Sequence, residues 1–391
     1  MRKKRPRFSV VTIVRNEADR LPRLLASLAD FRARGGEVVV LDTGSEDGTP
    51  EVARSAGCRL VVARKRFDGR LTERQARRIN GTFSRDGEGP FVSPGERLFN
   101  FARARNCASA LARHDFQLAL DGGDVVDALD VDWLDASIRE GGTSVYRFER
   151  RVRNRGGWSV EVGDCFHDRR VMEWKGRAHN YLSVIPFVRA RATLLLARDR
   201  LLVSHHTDLE KHRGYQLAGT ALEALADPGS VRWRHLLARA LVTLGYHGSA
   251  LPILLALDRA EASPAARSAS LGLAASCVAA SGGPSDEVEA LLFRAAKRDS
   301  SRRDPLLRLA HRRLVEGDMQ GAASFATAAL AIPAQAGIGE MEWNHSVGPH
   351  AILYWALFWL GRRDEAKRHF KRCRELEPAN PVYRDHARLF A

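Results

Sequence analysis

Near residue 209 the chain changes its periodicity. Before that point, short β-branched runs alternate with helical stretches. After it, alanine and leucine recur at helical spacing to the C-terminus. A strand-and-helix layer and an all-helical array bury their apolar faces in different ways, so 391 residues of this pattern read as two domains. The boundaries read from the sequence are 1–215 for the α/β part and 216–391 for the helical part. Hydrophobic residues make up 45% and charged residues 28%, a globular composition. The longest apolar run, Ala351 to Leu360, falls well short of the roughly 18 residues a membrane span needs and reads as a buried helix. The N-terminus is basic, then briefly apolar. Asn16 and Glu17 interrupt that stretch, so it is not read as a signal peptide. Five cysteines lie far apart without a CxxC pair, which fits isolated thiols in a reducing, cytoplasmic setting.

Within the first part, Phe8 to Val14 and Glu37 to Leu41 have the continuous apolar character of strands buried on both faces. Asn16 to Asp30 carries leucines on one helical face, Thr49 to Gly57 predicts a short helix, and Arg59 to Ala63 a third strand. This β-α-β-α-β order implies a parallel sheet. Residues 67–98, charged and rich in glycine and proline, predict an insertion with little core of its own, a flap over the site. A helix over Leu98 to Arg113 and strands at Phe116 to Leu120, Ser144 to Arg150 and Leu201 to His205 complete the pattern.

The second part repeats. Leu-Gly joins two helices in both 235–264 and 351–381, with proline closing the second helix. Residues 270–298 and 306–333 are looser copies. The turn glycines Gly245, Gly282, Gly317 and Gly361 are 37, 35 and 44 residues apart, and residues 335–348 supply the excess in the last interval. The first two intervals are near the 34-residue tetratricopeptide period, and this half resembles a tetratricopeptide array. Such arrays form grooves that bind proteins or peptides. The net charge of +15 suits an anionic partner, but arginine is spread along the whole chain, so nucleic-acid binding is not expected as the main function.

Two loops carry the chemistry. Asp42-Thr-Gly-Ser-Glu-Asp-Gly-Thr49 follows the second strand, and Val14-Arg-Asn-Glu17 ends the first. In an open parallel sheet, ligands sit beyond the carboxyl ends of the strands, and adjacent strands bring such loops together. With these segments, Phe101-Ala-Arg-Ala-Arg-Asn106, Leu118-Ala-Leu-Asp-Gly-Gly-Asp124, Arg170 to Asn180 and Val203-Ser-His-His206 occur in order. Over residues 7–215 the chain resembles a family 2 glycosyltransferase. A subgroup of that family carries tetratricopeptide repeats behind the catalytic domain.

The resemblance implies a GT-A domain, a Rossmann-like mixed sheet binding a nucleoside diphosphate sugar, followed by an all-α repeat domain. It implies transfer of a sugar, UDP-linked as the commoner donor, to a glycan, lipid-linked or protein acceptor. It places Asp42 at the nucleotide base, and Arg15, Asn16, Glu17 and Arg105 around the nucleotide. Asp121 holds the ribose or a divalent metal (Mn2+ or Mg2+), with Asp124 and His205 or His206 as metal ligands. Asp121, Asp124 and His179 are the candidate catalytic residues. Two positions depart from the family pattern. Gly123 stands where the metal-binding aspartate is usual, and Asn180 where a glutamate base is usual. Asp164, Asp168 and Glu173 are the upstream carboxylates that could replace the base. These departures keep open a second reading, an inactive transferase-like scaffold acting through its repeats.

Overall fold

The computed structural model describes residues 5–85, 87–154, 157–206, 215–334 and 340–390. The basic residues Arg2 to Lys4, the 207–214 part of the expected domain boundary, residues 335–339 and the side chain of Asp164 lie outside what is described. The chain forms two compact units. One comprises Met1–Ser84, Gly89–Asn154 and Glu161–Pro228. The other comprises Arg85–Glu88, Arg155–Val160 and Gly229–Ala391.

The strands of the first unit are β1 (Phe8–Val14), β2 (Glu37–Asp42), β3 (Arg59–Val62), β4 (Asp68–Arg70), β5 (Arg97–Phe99), β6 (Phe116–Asp121) and β7 (Asp124–Leu129). They continue with β8 (Thr143–Asn154), β9 (Gly157–Asp168), β10 (Met172–Lys175), β11 (Tyr181–Val184), β12 (Ala192–Leu195) and β13 (Leu201–His206). The main sheet runs β3-β2-β1-β6-β9-β8-β13-β7, with β12 beside β8. β3, β2, β1 and β6 are mutually parallel, and β9 returns antiparallel to β6. The outcome is the mixed sheet that the sequence implies. All seven β1 residues are buried because both faces are covered. Val10, Leu24, Leu118 and Phe166 share a core on one side, and Val11, Ile13, Val39 and Ala104 share one on the other.

Three local expectations are corrected. The helix expected from Asn16 begins at Leu21, with Pro22 in its first turn. Asn16 itself has φ +52°, a left-handed conformation that asparagine tolerates, so residues 15–20 stay outside the helix. The helix expected from Leu98 begins at Phe101, because Leu98 and Phe99 are buried in β5 and Asn100 caps the first turn. The segment expected to lack a core has one. β4 pairs with β5, Thr72 and Gln75 form a capping box on the Glu73–Phe83 helix, and Leu71, Ile79 and Val92 are buried. The glycines and prolines of that segment masked the T-x-x-Q signal.

The second unit is built of consecutive helix pairs: Val231–Thr243 with His247–Asp258, Pro264–Ala280 with Ser285–Arg298, Asp304–Val315 with Met319–Ala331, and Gly348–Trp359 with Arg363–Leu376. Each pair also packs on the next, the TPR-like arrangement expected. Gly245, Gly282, Gly317 and Gly361 follow the first helix of each pair with φ of +87°, +70°, +82° and +77°. A residue with a Cβ is strained there, which explains the recurrence of glycine at this turn. Arg85 and Glu88 also belong to this unit, and Glu88 accepts from the Gly248 and Ser249 amides at 2.7 and 2.8 Å.

Candidate active site

The two loops at the carboxyl ends of β1 and β2 are stitched by side-chain to backbone bonds. The Asn16 amide donates to Ser45 Oγ (2.9 Å), and the Glu46 amide donates back to Asn16 Oδ1 (2.8 Å). The Glu17 amide donates to Thr49 Oγ1 (2.8 Å), and the Ala18 amide to Asp47 Oδ2 (3.1 Å). Asp42 is fully buried. Its Oδ1 accepts from the Gly44 and Ser45 amides at 2.8 and 2.9 Å and shapes the turn, while its buried Oδ2 has no protein partner. Arg15 turns to Asp68 (3.1 Å), which also binds Arg97 (2.7 Å).

The third loop, between β6 and β7, is a tight turn. A Cβ at Gly122 would fall 2.8 Å from Glu17 Cγ, and one at Gly123 would fall 3.2 Å from the His206 carbonyl. Glycine at 122 is therefore required by the approach of the first loop, not by flexibility. The second carboxylate of the motif comes from Asp124, one position after the expected place. His205 is its Cα partner across the antiparallel β7–β13 ladder, and β13 lies beside β8. The register thus brings Asp121, Asp124 and His205 together, with their ligating atoms within 4.8 Å of one another.

Arg150, which the motif reading missed, stands at the hub of this group. It shares the inward parity of β8 with Tyr146 and Phe148, both fully buried. That parity is the signal that could have found it. One nitrogen, Nη2, lies 2.9 Å from Asp121 Oδ2, 2.8 Å from Asp124 Oδ1 and 3.1 Å from His205 Nδ1. His205 Nδ1 is 2.7 Å from Asp124 Oδ1, and Asp124 Oδ2 accepts from the Asp121 amide at 2.7 Å. Arg105 Nη2 binds Asp121 Oδ1, and its guanidinium lies 4.9 Å from the centre of the Trp174 ring. Asn106 clamps the Trp174 backbone with two 2.9 Å bonds, which ties this helix to β10. Burial alone would raise the Asp121 pKa. Arg105, then Arg150 and His205, overcome it and hold the carboxyl well below its usual range.

As placed, the group does not fit a resident divalent ion. Each of the four carboxylate oxygens already accepts a hydrogen bond, and Arg150 Nη2 takes the space between the three ligands. A magnesium or manganese ion would need those oxygens at about 2.0–2.2 Å. Beside the cluster, Arg20, Arg23, Gly123, Asp124, Val125 and His206 line a small open pocket of about 20 Å³.

The remaining candidates are not members of that group. His179 and Asn180 sit on the β10–β11 connection, outside the Asp121–Asp124–His205 group, and the Asn180 Nδ2 is buried without a protein partner. Asp168 is held by Arg170 (2.7 Å) and Glu173 by Lys175 (3.2 Å), which gives both structural partners. His167, another residue the motifs did not single out, is buried edge-on to Trp174 at 5.6 Å. Burial pushes its pKa down to about 4.

Residues 9–76 match the sequence profile of glycosyl transferase family 2. This segment of the first unit is thus similar to glycosyl transferase family 2, and the second unit is a stack of helix pairs built like tetratricopeptide repeats. A TPR repeat-containing protein of Synechococcus elongatus is 51% identical over 53 residues, 14% of this chain; the chain spans only 12% of that relative's length. Among solved structures, S. aureus TarS 1-349 is similar over 75% of this chain and 88% of its own, at 17% identity and a TM-score of 0.36. MamA is similar over 44% of this chain and 96% of its own, at 16% identity and a TM-score of 0.35.

Proposed function

We propose that the first unit transfers a sugar from a nucleoside diphosphate donor, UDP-linked, to a glycan, lipid-linked or protein acceptor. The observation that carries this reading is the stitched pair of loops at the carboxyl ends of β1 and β2, facing the Asp121-Gly122 turn through Glu17. Asp42 Oδ2 is the oxygen of that carboxylate left for a ligand, and the imide N–H of uracil is a donor that would satisfy it. Asn16 and Glu17 hold the loop that lines the nucleotide, and Arg15 borders it through Asp68.

The reaction forms a bond between the acceptor oxygen and the anomeric carbon and breaks the bond to the diphosphate oxygen. Charge gathers on the departing diphosphate, so fixed cations aimed at it lower the barrier. Arg105 and Arg150, pre-set by Asp121 and Asp124, are such cations, and Arg20, Arg23 and His206 line the neighbouring pocket. Asp121, held deprotonated by two guanidinium groups, is too weak a base to take the acceptor proton. His179 is assigned that proton.

The helical unit is assigned a protein partner or the acceptor itself, by the groove that stacked helix pairs form. The cytoplasm is proposed as its compartment, either free or peripheral to the inner membrane face. Among the described residues no helix is long and apolar enough to cross a membrane.

Calorimetric titration with UDP, GDP and their sugar conjugates tests the nucleotide reading. Micromolar binding that Asp42→Ala abolishes in a folded chain supports it. Failure of every nucleotide to bind overturns it and favours the scaffold reading, which Asn180 in place of a carboxylate base already suits. With a competent acceptor, His179→Ala should then remove turnover while leaving nucleotide affinity within about twofold.

A further inference from the structure

We infer that Arg150 is a built-in counter-cation, and that this chain holds a nucleoside diphosphate without a divalent metal. The inference rests on the nucleotide reading for its ligand but on geometry for Arg150. One guanidinium nitrogen donates to Asp121 Oδ2 at 2.9 Å and Asp124 Oδ1 at 2.8 Å and lies 3.1 Å from His205 Nδ1, so it sits against all three potential metal ligands. The charges are already balanced: Asp121 and Asp124 contribute two negative charges, Arg105 and Arg150 two positive ones. A divalent ion added to this group would leave it strongly positive unless Arg150 withdrew.

Withdrawal is opposed by the fold. Arg150 emerges from a strand whose neighbouring inward positions, Tyr146 and Phe148, are fully buried, and its paired residue on β13 is the buried Val203. Pulled from the carboxylates, the guanidinium gives up its bonds to both Asp121 and Asp124. Asp124 has its other oxygen fixed to the Asp121 amide, so the acidic pair cannot easily turn toward an ion either. The tethered cation takes the place between the two carboxylates that a metal would need, with its position set by strand register.

Two titrations of the full chain separate this inference from the nucleotide reading. The first follows free Mn2+ by electron paramagnetic resonance with no nucleotide present. The wild type is expected to bind no Mn2+ at up to 1 mM, the ceiling set for the experiment at about a thousandfold above a micromolar site. Arg150→Met, close in length and uncharged, should bind one Mn2+ at least tenfold more tightly, and adding Asp124→Asn should remove that site. Arg150→Lys keeps the charge if the methionine variant fails to fold, and it should still exclude Mn2+. One Mn2+ bound by the wild type with micromolar affinity and lost in Asp124→Asn overturns the inference, as does a folded Arg150→Met chain that gains no Mn2+.

The second titration measures UDP affinity in EDTA and in MnCl2. A change under threefold supports the inference, and loss of binding in EDTA overturns it. If no nucleotide binds under either condition, the transferase reading fails, while the Mn2+ result still decides the role of Arg150.

Discussion

Asp124 and His205 are Cα partners in the β7–β13 ladder, and their side chains meet at 2.7 Å between Oδ1 and Nδ1. A backbone register therefore fixes one side of the charged cluster. Asp124 is nearly inaccessible and its Oδ1 serves both His205 and Arg150. Asp124→Ala removes an anion while leaving the half-buried Arg150 guanidinium short of a partner. A loss of about 3 kcal/mol is expected by urea denaturation. Arg150→Met alone should cost less than this, and the double variant should cost less than the sum of the two, since each loss removes part of what the other strands.

Gly122→Ala should disturb the turn without creating backbone strain, because the obstacle is a side chain. Its new Cβ would meet Glu17 Cγ at 2.8 Å, so the first loop must move. A fall of tenfold or more in nucleotide affinity is expected, with a melting temperature that drops by only a few degrees. Gly122→Ala combined with Glu17→Ala should recover part of the affinity.

In the helical unit, Gly317→Ala tests a different penalty. Nothing lies within 4 Å of a Cβ built there, yet φ is +82°. The cost is then backbone strain alone, about 1–2 kcal/mol. The same change at Gly245 or Gly282, equally open and left-handed, should give a similar loss in a thermal or urea unfolding curve.

His167 sets an acid limit. Its folded pKa is pushed from the ordinary value near 6.5 to about 4 by burial, so the folded state keeps it neutral while the unfolded state takes up a proton. Its stabilisation is fully present above about pH 6.5 and is lost as pH falls toward 4, by at most about 1.4 kcal/mol per pH unit. His167→Gln should flatten that slope between pH 6 and 4.5 when unfolding free energy is measured against pH.

The elements with strong patterns were legible in the sequence. Seven consecutive apolar or hydroxyl residues gave β1, and four glycines after leucine-rich helices gave the repeat turns. The loops at 15–17 and 42–49 stood out because both follow buried strands. Arg150 did not stand out. It is one of five arginines within residues 147–155, where charge alone singles out none of them. Only the alternation of Tyr146, Phe148 and Arg150 marks it as inward, and only tertiary register brings Asp121, Asp124 and His205 to it. Asp124, by contrast, was legible beside Gly123 as the carboxylate nearest the usual metal-binding place.

The exchange between Asn16 and Ser45-Glu46 runs in both directions, each loop donating to the other. Neither can be redesigned alone. A replacement at position 16 strands the Glu46 amide, and a replacement at position 45 strands the Asn16 amide in its left-handed turn. Because each side chain holds the other loop's backbone, a change at position 16 or at position 45 loosens both loops together, and the pair acts as one latch across the ends of β1 and β2.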